Sequence, residues 1–580
     1  MYLSSSVSSA PRSPWPAPRR KRLSGNRAHN PEFGRGEGRP RTANDVCTTP
    51  VSVVLFVVIV ASLVQTVAFS ATRLWASTEA AGYVTLASGI AERFDFGHDL
   101  FLLRTPGYPL LLAGVFHLFG SHSATAIPAI QFAMVAGIAG VVAATFFQIT
   151  RRCVPAVAAG LLATANLQLS GFAAMIMSEV PFALMLSLTV CCLVTYVSGG
   201  RVMHLLLGSF FVGAAYLFRP IGLALAAVCL LAAVLRWWQE RVRFNSTLHA
   251  GDMPASLKAE QRIGFEMRRF AISCFAAVFP AAGIAGIWMI VIASRGDSPA
   301  ATIGPALYKR AVTMDRLDSA RSHELHEIRN VVDEARNNGW IAADADYRVG
   351  GTVFDAYRAL GLGSYPFVCE KMALAAGELI REHRVRFVER TVRYALWSVL
   401  RPDSSFRYVP GGSPGRQSSS GEWTRAEDAE LFDCSTYAPM MSPPLKPFEK
   451  YVALEAEPTL ITPIWRRVVR SYHRTIESVI VFGSRRFAVY ELFIVLCGLG
   501  VAFALVSRNR AMWMIPIAAI LTQTLLAALL VGPVPRYTVP IQPWLHAFGL
   551  WPILLCAAPT KIEFGSAKCG ASEVRRGRAN

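Results

Sequence analysis

The sequence has few charged residues for its length. Charged residues make up 17% of the 580 residues, whereas hydrophobic residues make up 53%. Soluble domains usually carry about a quarter charged residues, so this composition excludes an ordinary soluble protein. Because apolar runs of about 20 residues recur along the chain, the sequence predicts an all-α polytopic membrane protein.

Metal-binding patterns and internal repeats are also missing. The 11 cysteines include no CxxC pair and no zinc-type spacing, and the 11 histidines form no evident ligand cluster. The sequence therefore indicates no cofactor and no metal ligands, although it leaves a divalent metal open. The net charge of +19 does not indicate nucleic acid here, because basic residues in a membrane protein are first expected to set its topology among membrane lipids.

About ten apolar runs are long enough for membrane helices. A further apolar stretch, 106–120, is short, and we expect it to form an interfacial or re-entrant helix; if it spans, every later orientation reverses. The expected spans lie at roughly 51–71, 123–149, 153–171, 179–198, 202–218, 220–238, 270–293, 487–506, 511–531 and 539–558.

These runs divide the chain into five parts. Residues 1–50 are predicted to be a disordered basic tail, with a targeting segment or a misplaced start as alternatives. A transmembrane core of about seven helices follows, with a first outer loop at 72–122. The predicted parts are 1–50, the core at 51–293, an external soluble domain at 294–486, the last helices at 487–558 and a basic tail at 559–580.

Basic residues indicate how the chain is oriented. With both tails inside, most Lys and Arg outside 294–486 fall on inner segments, and the short outer loops hold only Arg73, Arg93, Arg104, Arg219 and Arg536. Long domains largely escape the positive-inside rule. We therefore expect a multi-pass protein of the plasma (inner) membrane, with cytoplasmic termini and 294–486 external or periplasmic.

The predicted external domain contains two further features. Residues 370–400 have the pattern of one amphipathic helix that lies on the membrane surface. Cys369 and Cys434 are the only cysteines in the domain, so a disulfide is expected if the compartment is oxidising, with two free thiols as the alternative.

Polar residues of separate segments stand at the outer ends of the predicted helices. Charged groups at membrane borders are costly to bury and often mark function. Two carboxylates and several arginines are therefore expected to face one site. These residues are Glu79 and Arg104 in the first loop, Glu179 in MSEVP, Arg219 in LFRP, and Arg536 and Tyr537 in GPVPRYTVP.

The first outer loop resembles that of bacterial GT-C glycosyltransferases of family 39, the relatives of protein O-mannosyltransferases and aminoarabinose transferases. Glu79 stands four positions before Tyr83, and the RTPGYP block of 104–109 fits the family's next landmark. SEVPF at 178–182, FRP at 218–220 and PRYTVPIQP at 535–543 resemble later landmarks. The resemblance covers about 50–560 through short motifs.

The resemblance implies an enzyme that transfers a sugar from a polyprenyl-phosphate donor to an external acceptor, which is a protein, a lipid or a glycan. Glu79 is then the general base of an inverting displacement, and Glu179 orients the acceptor or tunes Glu79. Arg104, Arg219 and Arg536 are candidates for binding the donor phosphate, and Tyr83, Tyr108 and Tyr537 for lining the substrate site.

Other interpretations stay open. Glu79 also fits a solvated loop acid, Glu179 a helix N-terminal carboxylate, and Arg219 and Arg536 interfacial anchors. A transporter or flippase of lipid-linked sugars predicts repeats and mid-membrane ionisable residues. A scaffold, or an O-antigen ligase or polymerase type of enzyme, is a further alternative.

The predicted topology can be tested by cysteine labelling. A probe cysteine in the 236–269 loop should resist a membrane-impermeant reagent in intact cells and react after permeabilisation. A control cysteine placed in 294–486 should react in intact cells. Labelling of the 236–269 probe from outside would contradict the predicted orientation.

Overall fold

A computed structural model describes residues 50–70, 78–102, 104–164, 166–248, 259–400, 487–507, 509–530 and 539–557, together with three short strands between 406 and 424. This part of the chain is helical apart from the strands. They pair antiparallel in the order β1, β2, β3 and comprise Phe406–Arg407, Gly415–Gln417 and Trp423–Thr424.

The first ten helices precede residue 295. They are α1 (Pro50–Ser70), α2 (Thr78–Arg93), α3 (Gly107–Phe119), α4 (Ser123–Thr150), α5 (Cys153–Thr164), α6 (Leu167–Ala173), α7 (Glu179–Gly199), α8 (Val202–Phe218), α9 (Leu225–Leu248) and α10 (Ala259–Ser294). The later helices are α11 (Pro299–Tyr308), α12 (His323–Asn337), α13 (Gly350–Ala359), α14 (Tyr365–Glu382), α15 (Arg384–Leu400), α16 (Phe487–Val506), α17 (Arg510–Leu530) and α18 (Gln542–Ala557).

Six helical segments of the described chain are long and apolar enough to cross a membrane. This finding agrees with the predicted multi-pass membrane protein, and every expected span contains helix. Helices α3 and α8 lie within about a residue of their expected bounds and α5 is shorter than expected, and all three are too short to count among the candidate spans. The six segments are Pro50–Phe69, Thr125–Thr150, Glu179–Gly199, Pro220–Val242, Glu266–Ser294 and Arg510–Leu530.

The prediction of one continuous helix at 153–171 is wrong, because this segment forms two helices, α5 and α6. Asn166 caps α6 by accepting a hydrogen bond from the Leu169 amide at 2.9 Å, and its side chain donates to Gln542 at 3.2 Å. The Gln65 amide donates to the Thr164 carbonyl at 3.0 Å. Side chains from distant helices thus pair the polar groups that a broken apolar helix would otherwise leave unsatisfied.

Small residues bring the apolar helices together. α4 packs against α1, α5 and α7, and α8 packs against α7 and α10. A Cβ atom at Gly160 would lie 2.9 Å from the Ala139 carbonyl oxygen, so α5 approaches the backbone of α4 closely. Such contacts are typical of membrane helices, where van der Waals packing replaces a hydrophobic drive between helices.

Helices α11 to α15 have a hydrophobic core of their own, formed around Tyr308, Ile328, Tyr357 and Met372. The amphipathic segment 370–400 is not one helix as predicted: it divides between α14 and α15 at His383. Most of 401–486 lies outside the described residues, and a separate soluble domain at 294–486 stays a prediction.

Cys369 lies fully buried in α14 as a free thiol. Burial raises the pKa of this thiol to about 12, so little thiolate forms at neutral pH. Cys434 lies outside the described residues, so the bridge between Cys369 and Cys434 stays a prediction.

The break between α5 and α6 predicts an order of stabilities. Asn166→Ala removes both the helix cap and the hydrogen bond to Gln542, whereas Asn166→Ser keeps a capping oxygen but does not reach Gln542. Loss of an N-cap costs about 1 kcal/mol. We expect the thermal stability of the purified protein in detergent to fall in the order wild type, Asn166→Ser, Asn166→Ala. Equal stability of Asn166→Ala and wild type would contradict this account of the break.

Candidate functional site

The site is built around an ion pair between the start of α7 and the end of α8. Glu179 is the first residue of α7, and Arg219 directly follows α8. Their side chains form a salt bridge, with exposed fractions of 0% for Glu179 and 8% for Arg219. Because α7 and α8 run antiparallel through a short turn, the SEVP and FRP motifs lie side by side.

Ser178 connects this pair to the first loop. The Arg219 Nε atom donates to the Ser178 hydroxyl at 3.1 Å. The Tyr83 hydroxyl lies 3.3 Å from the same Ser178 oxygen. Ser178 is fully buried, and its hydroxyl therefore joins α2 to the ion pair.

Two tyrosines and an arginine of the first loop pack together beside Ser178. The rings of Tyr83 and Tyr108 meet edge to face with centroids 4.9 Å apart. The Arg104 guanidinium lies 4.8 Å from the centre of the Tyr83 ring, within cation–π range. Arg104 is partly exposed, whereas Tyr108 is fully buried. The charged group thus lies at the edge of the cluster.

Gly107 explains the RTPGYP motif physically. A Cβ atom at this position would lie 2.7 Å from both the carbonyl carbon and the carbonyl oxygen of Leu217. Only glycine lets the start of α3 approach the end of α8 this closely without a backbone shift. The close approach places Tyr108 near the ion pair that follows Leu217.

Gln131 holds the segment before α7 in place. Its amide nitrogen donates to the carbonyl oxygens of Ala173 at 3.0 Å and Met175 at 2.8 Å, and its oxygen accepts from the Tyr108 hydroxyl at 3.2 Å. The sequence analysis missed both Gln131 and Ser178. The available signal was that Gln131 is one of two amides in the apolar run 123–149, the other being Gln148.

The structure brings together five of the predicted residues: Tyr83, Arg104, Tyr108, Glu179 and Arg219. Glu79 is the second residue of α2, and position 79 lies one turn before Tyr83 on the same face of that helix. Arg536 and Tyr537 lie outside the described residues.

Arg295 fixes the loop that carries Arg104. Its guanidinium donates to the carbonyl oxygens of Phe96 at 3.4 Å and His98 at 3.2 Å, and it lies 3.3 Å from the Asp99 carboxylate. His98 Nδ1 accepts from the Leu100 amide at 3.1 Å. Burial lowers the pKa of His98, which favours the neutral ring that this hydrogen bond requires.

A separate acidic cluster lies on α12. The side chains of His323, Glu324 and Glu327 offer ligand atoms within 4.8 Å of one another. Lys371 already lies among them, with its Nζ atom 2.9 Å from Glu324 and 2.7 Å from Glu327. Hydrogen bonding to Glu327, and then to Glu324, raises the pKa of Lys371. The ammonium group therefore supplies the cation that these carboxylates need.

The chain matches no protein-family model and no curated protein sequence.

The close approach at Gly107 gives a matched pair of variants in one helix. Gly107→Ala forces α3 away from Leu217, and overpacking of this kind typically costs about 1–3 kcal/mol. Gly114→Ala is the control, because a Cβ atom there meets nothing within 4 Å. We expect Gly107→Ala to lower the midpoint of thermal unfolding and Gly114→Ala to leave it unchanged or raise it. Equal midpoints would mean that the RTPGYP glycine is not required for packing.

Proposed function

We propose that the chain is a membrane glycosyltransferase that transfers a sugar from a polyprenyl-phosphate-linked donor to an acceptor hydroxyl. The observation that supports it best is the convergence of Tyr83, Arg104, Glu179 and Arg219 on the Ser178 hydroxyl and its neighbours. These residues belong to motifs far apart in the sequence. They are also residues to which the resemblance to family 39 assigns catalytic or substrate-binding roles.

Glu179 is a poor candidate for the base. Its carboxylate is fully buried and paired with Arg219, so an acceptor hydroxyl has no path to it. Its proposed role is to hold Arg219 and Ser178, and through Ser178 the Tyr83 side of the first loop. Glu79 keeps the role of base, since it begins the helix that carries Tyr83.

Arg104 is the proposed ligand of the donor phosphate among the described arginines. It is partly exposed and is held against the face of Tyr83. Arginine suits this task because its fork of N–H donors matches phosphate oxygens. Arg219 already donates to Glu179 and Ser178, so a phosphate role for it requires sharing those donors.

The reaction is a single displacement. The acceptor hydroxyl oxygen attacks the anomeric carbon and forms the new glycosidic bond while the bond between that carbon and the phosphate oxygen breaks. The hydroxyl proton passes to the Glu79 carboxylate, and the bonding electrons leave with the polyprenyl phosphate. Arg104 stabilises the negative charge that grows on the leaving phosphate.

Donor consumption tests the proposed activity directly. Purified protein would be incubated in lipid with a panel of radiolabelled polyprenyl-phosphate sugars and a membrane extract as the acceptor source. Release of polyprenyl phosphate together with a labelled product supports the proposal. If no donor of the panel is consumed by the folded protein, the proposal fails; if a labelled donor crosses the membrane intact, the transporter alternative is supported.

The base assignment is tested by Glu79→Gln against Glu92→Gln, which changes an exposed glutamate of the same helix. The amide keeps the shape of the side chain but does not accept the proton. General-base catalysis contributes about 10²–10⁴-fold, and we expect a loss of kcat in that range for Glu79→Gln alone. Near-parental transfer by Glu79→Gln would require another base.

Arg104→Ala should raise the KM for the donor and also lower kcat, because the phosphate loses its partner both on binding and on leaving. Arg93→Ala is the control, since Arg93 is an exposed arginine of the same loop whose contact with Asp95 is long, at 3.9 Å. If Arg104→Ala leaves both the KM for the donor and kcat unchanged, Arg104 is not the ligand of the donor phosphate.

A further inference from the structure

One face of α15 is attached to the end of a membrane-length helix. Phe387 and Thr391 are buried, and Arg310 donates to Thr391 Oγ1 at 3.2 Å and lies over the Phe387 ring at 4.8 Å. Arg310 also donates to the carbonyl oxygen of Ala528 at 3.0 Å. Ala528 is near the last residue of α17, so α15 lies at the level where that helix ends.

The Arg310 contact is rigid and fully buried. Arg310 forms a salt bridge with Asp315, and both side chains have an exposed fraction of 0%. Arg390 of α15 approaches the same carboxylate at 3.5 Å. These charges hold α15 in one orientation, which fixes the face that it turns away from the protein.

That outward face is apolar. Val385, Val388, Val392 and Leu396 follow one another at helical spacing and are exposed by 83%, 59%, 49% and 58%. Exposed apolar residues of the candidate spans have similar exposures, for example 64% for Leu63 and 69% for Ile290. In a candidate span, exposed apolar side chains are accounted for by contact with lipid. Helix α15 is not one of the candidate spans, so its apolar stripe needs another account.

Arginines border this apolar stripe. Arg384, Arg386 and Arg393 are exposed on its two sides, and Glu389, the one acidic residue in the sequence of α15, is also exposed at the edge of the stripe, one turn after Val385. An apolar stripe between basic residues is the pattern of a helix that lies in the plane of a membrane surface. Exposed arginines attract anionic headgroups there.

We propose that α15 is an interfacial helix whose stripe enters the bilayer surface and whose bordering arginines bind the phosphates of anionic phospholipids. The attachment to the end of α17 places the stripe at the membrane border, and the excess of arginines favours anionic lipid over a second copy of this basic chain. The proposal concerns a lipid surface and is independent of any sugar-transfer activity.

Fluorescence quenching in nanodiscs tests the insertion. An environment-sensitive fluorescent amino acid would be placed in the full chain at position 388 or 392. Position 63 on α1 is the membrane control, and position 334, exposed on α12, is the aqueous control. We expect doxyl-labelled lipids to quench the probe at 388, 392 and 63 but not at 334. Quenching at 63 without quenching at 388 and 392 would overturn the proposal. The stripe would then be covered by a second copy of the chain or by another protein.

Lipid composition tests the role of the arginines. Quenching at 388 should be stronger with phosphatidylglycerol in the disc than with phosphatidylcholine alone. The variant R384Q/R386Q/R393Q should lose this difference. Because all three side chains are exposed, the variant should keep the parental unfolding midpoint, which confirms that it is folded. Equal quenching in both lipids, or a difference that survives the variant, would overturn the assignment of anionic headgroups.

Discussion

The buried ion pair between Glu179 and Arg219 is the constraint on which the rest of the candidate site depends. Removing one partner of such a pair leaves an uncompensated buried charge and typically costs about 3–5 kcal/mol. The two residues stand at the free ends of an antiparallel helix pair, so the pair fixes how far α7 and α8 slide along each other. The turn between them is made by Gly200, whose φ of 70° is accessible to glycine without strain.

A chain of polar side chains extends this constraint outward through apolar surroundings. Ser178 links the ion pair to Tyr83, and Gln131 links Tyr108 to the backbone that precedes α7. Inside a low-dielectric interior each of these groups is costly unless it is paired. Besides its contacts with Arg295, the first loop is consequently held by the Tyr83 hydroxyl, the Tyr108 hydroxyl and the close contact at Gly107.

The sequence predicted those parts of the structure that depend on local pattern. Hydropathy alone indicated helix in every expected span, and RTPGYP, SEVP and FRP pointed to residues that do lie together. The break near residue 165 could not be predicted, because its partners come from far away in the chain: Gln65 donates to the Thr164 carbonyl, and Gln542 accepts from the Asn166 side chain. The same reason hid Gln131, whose partners lie 42 and 44 residues further along the chain. An amide in an apolar run belongs to no periodic pattern that would predict its partners.

Buried and exposed groups occupy different parts of the candidate site. The ion pair and Ser178 are closed to solvent, whereas Arg104, at the edge of the cluster, is partly exposed. Arg536 and Tyr537, which lie outside the described residues, follow the last residue of α17 in the sequence by six and seven positions. That helix is fastened near its end by the hydrogen bond from Arg310 to Ala528. Arg219 and Arg310, both buried, thus hold the end of α8 to the start of α7 and the end of α17 to α15.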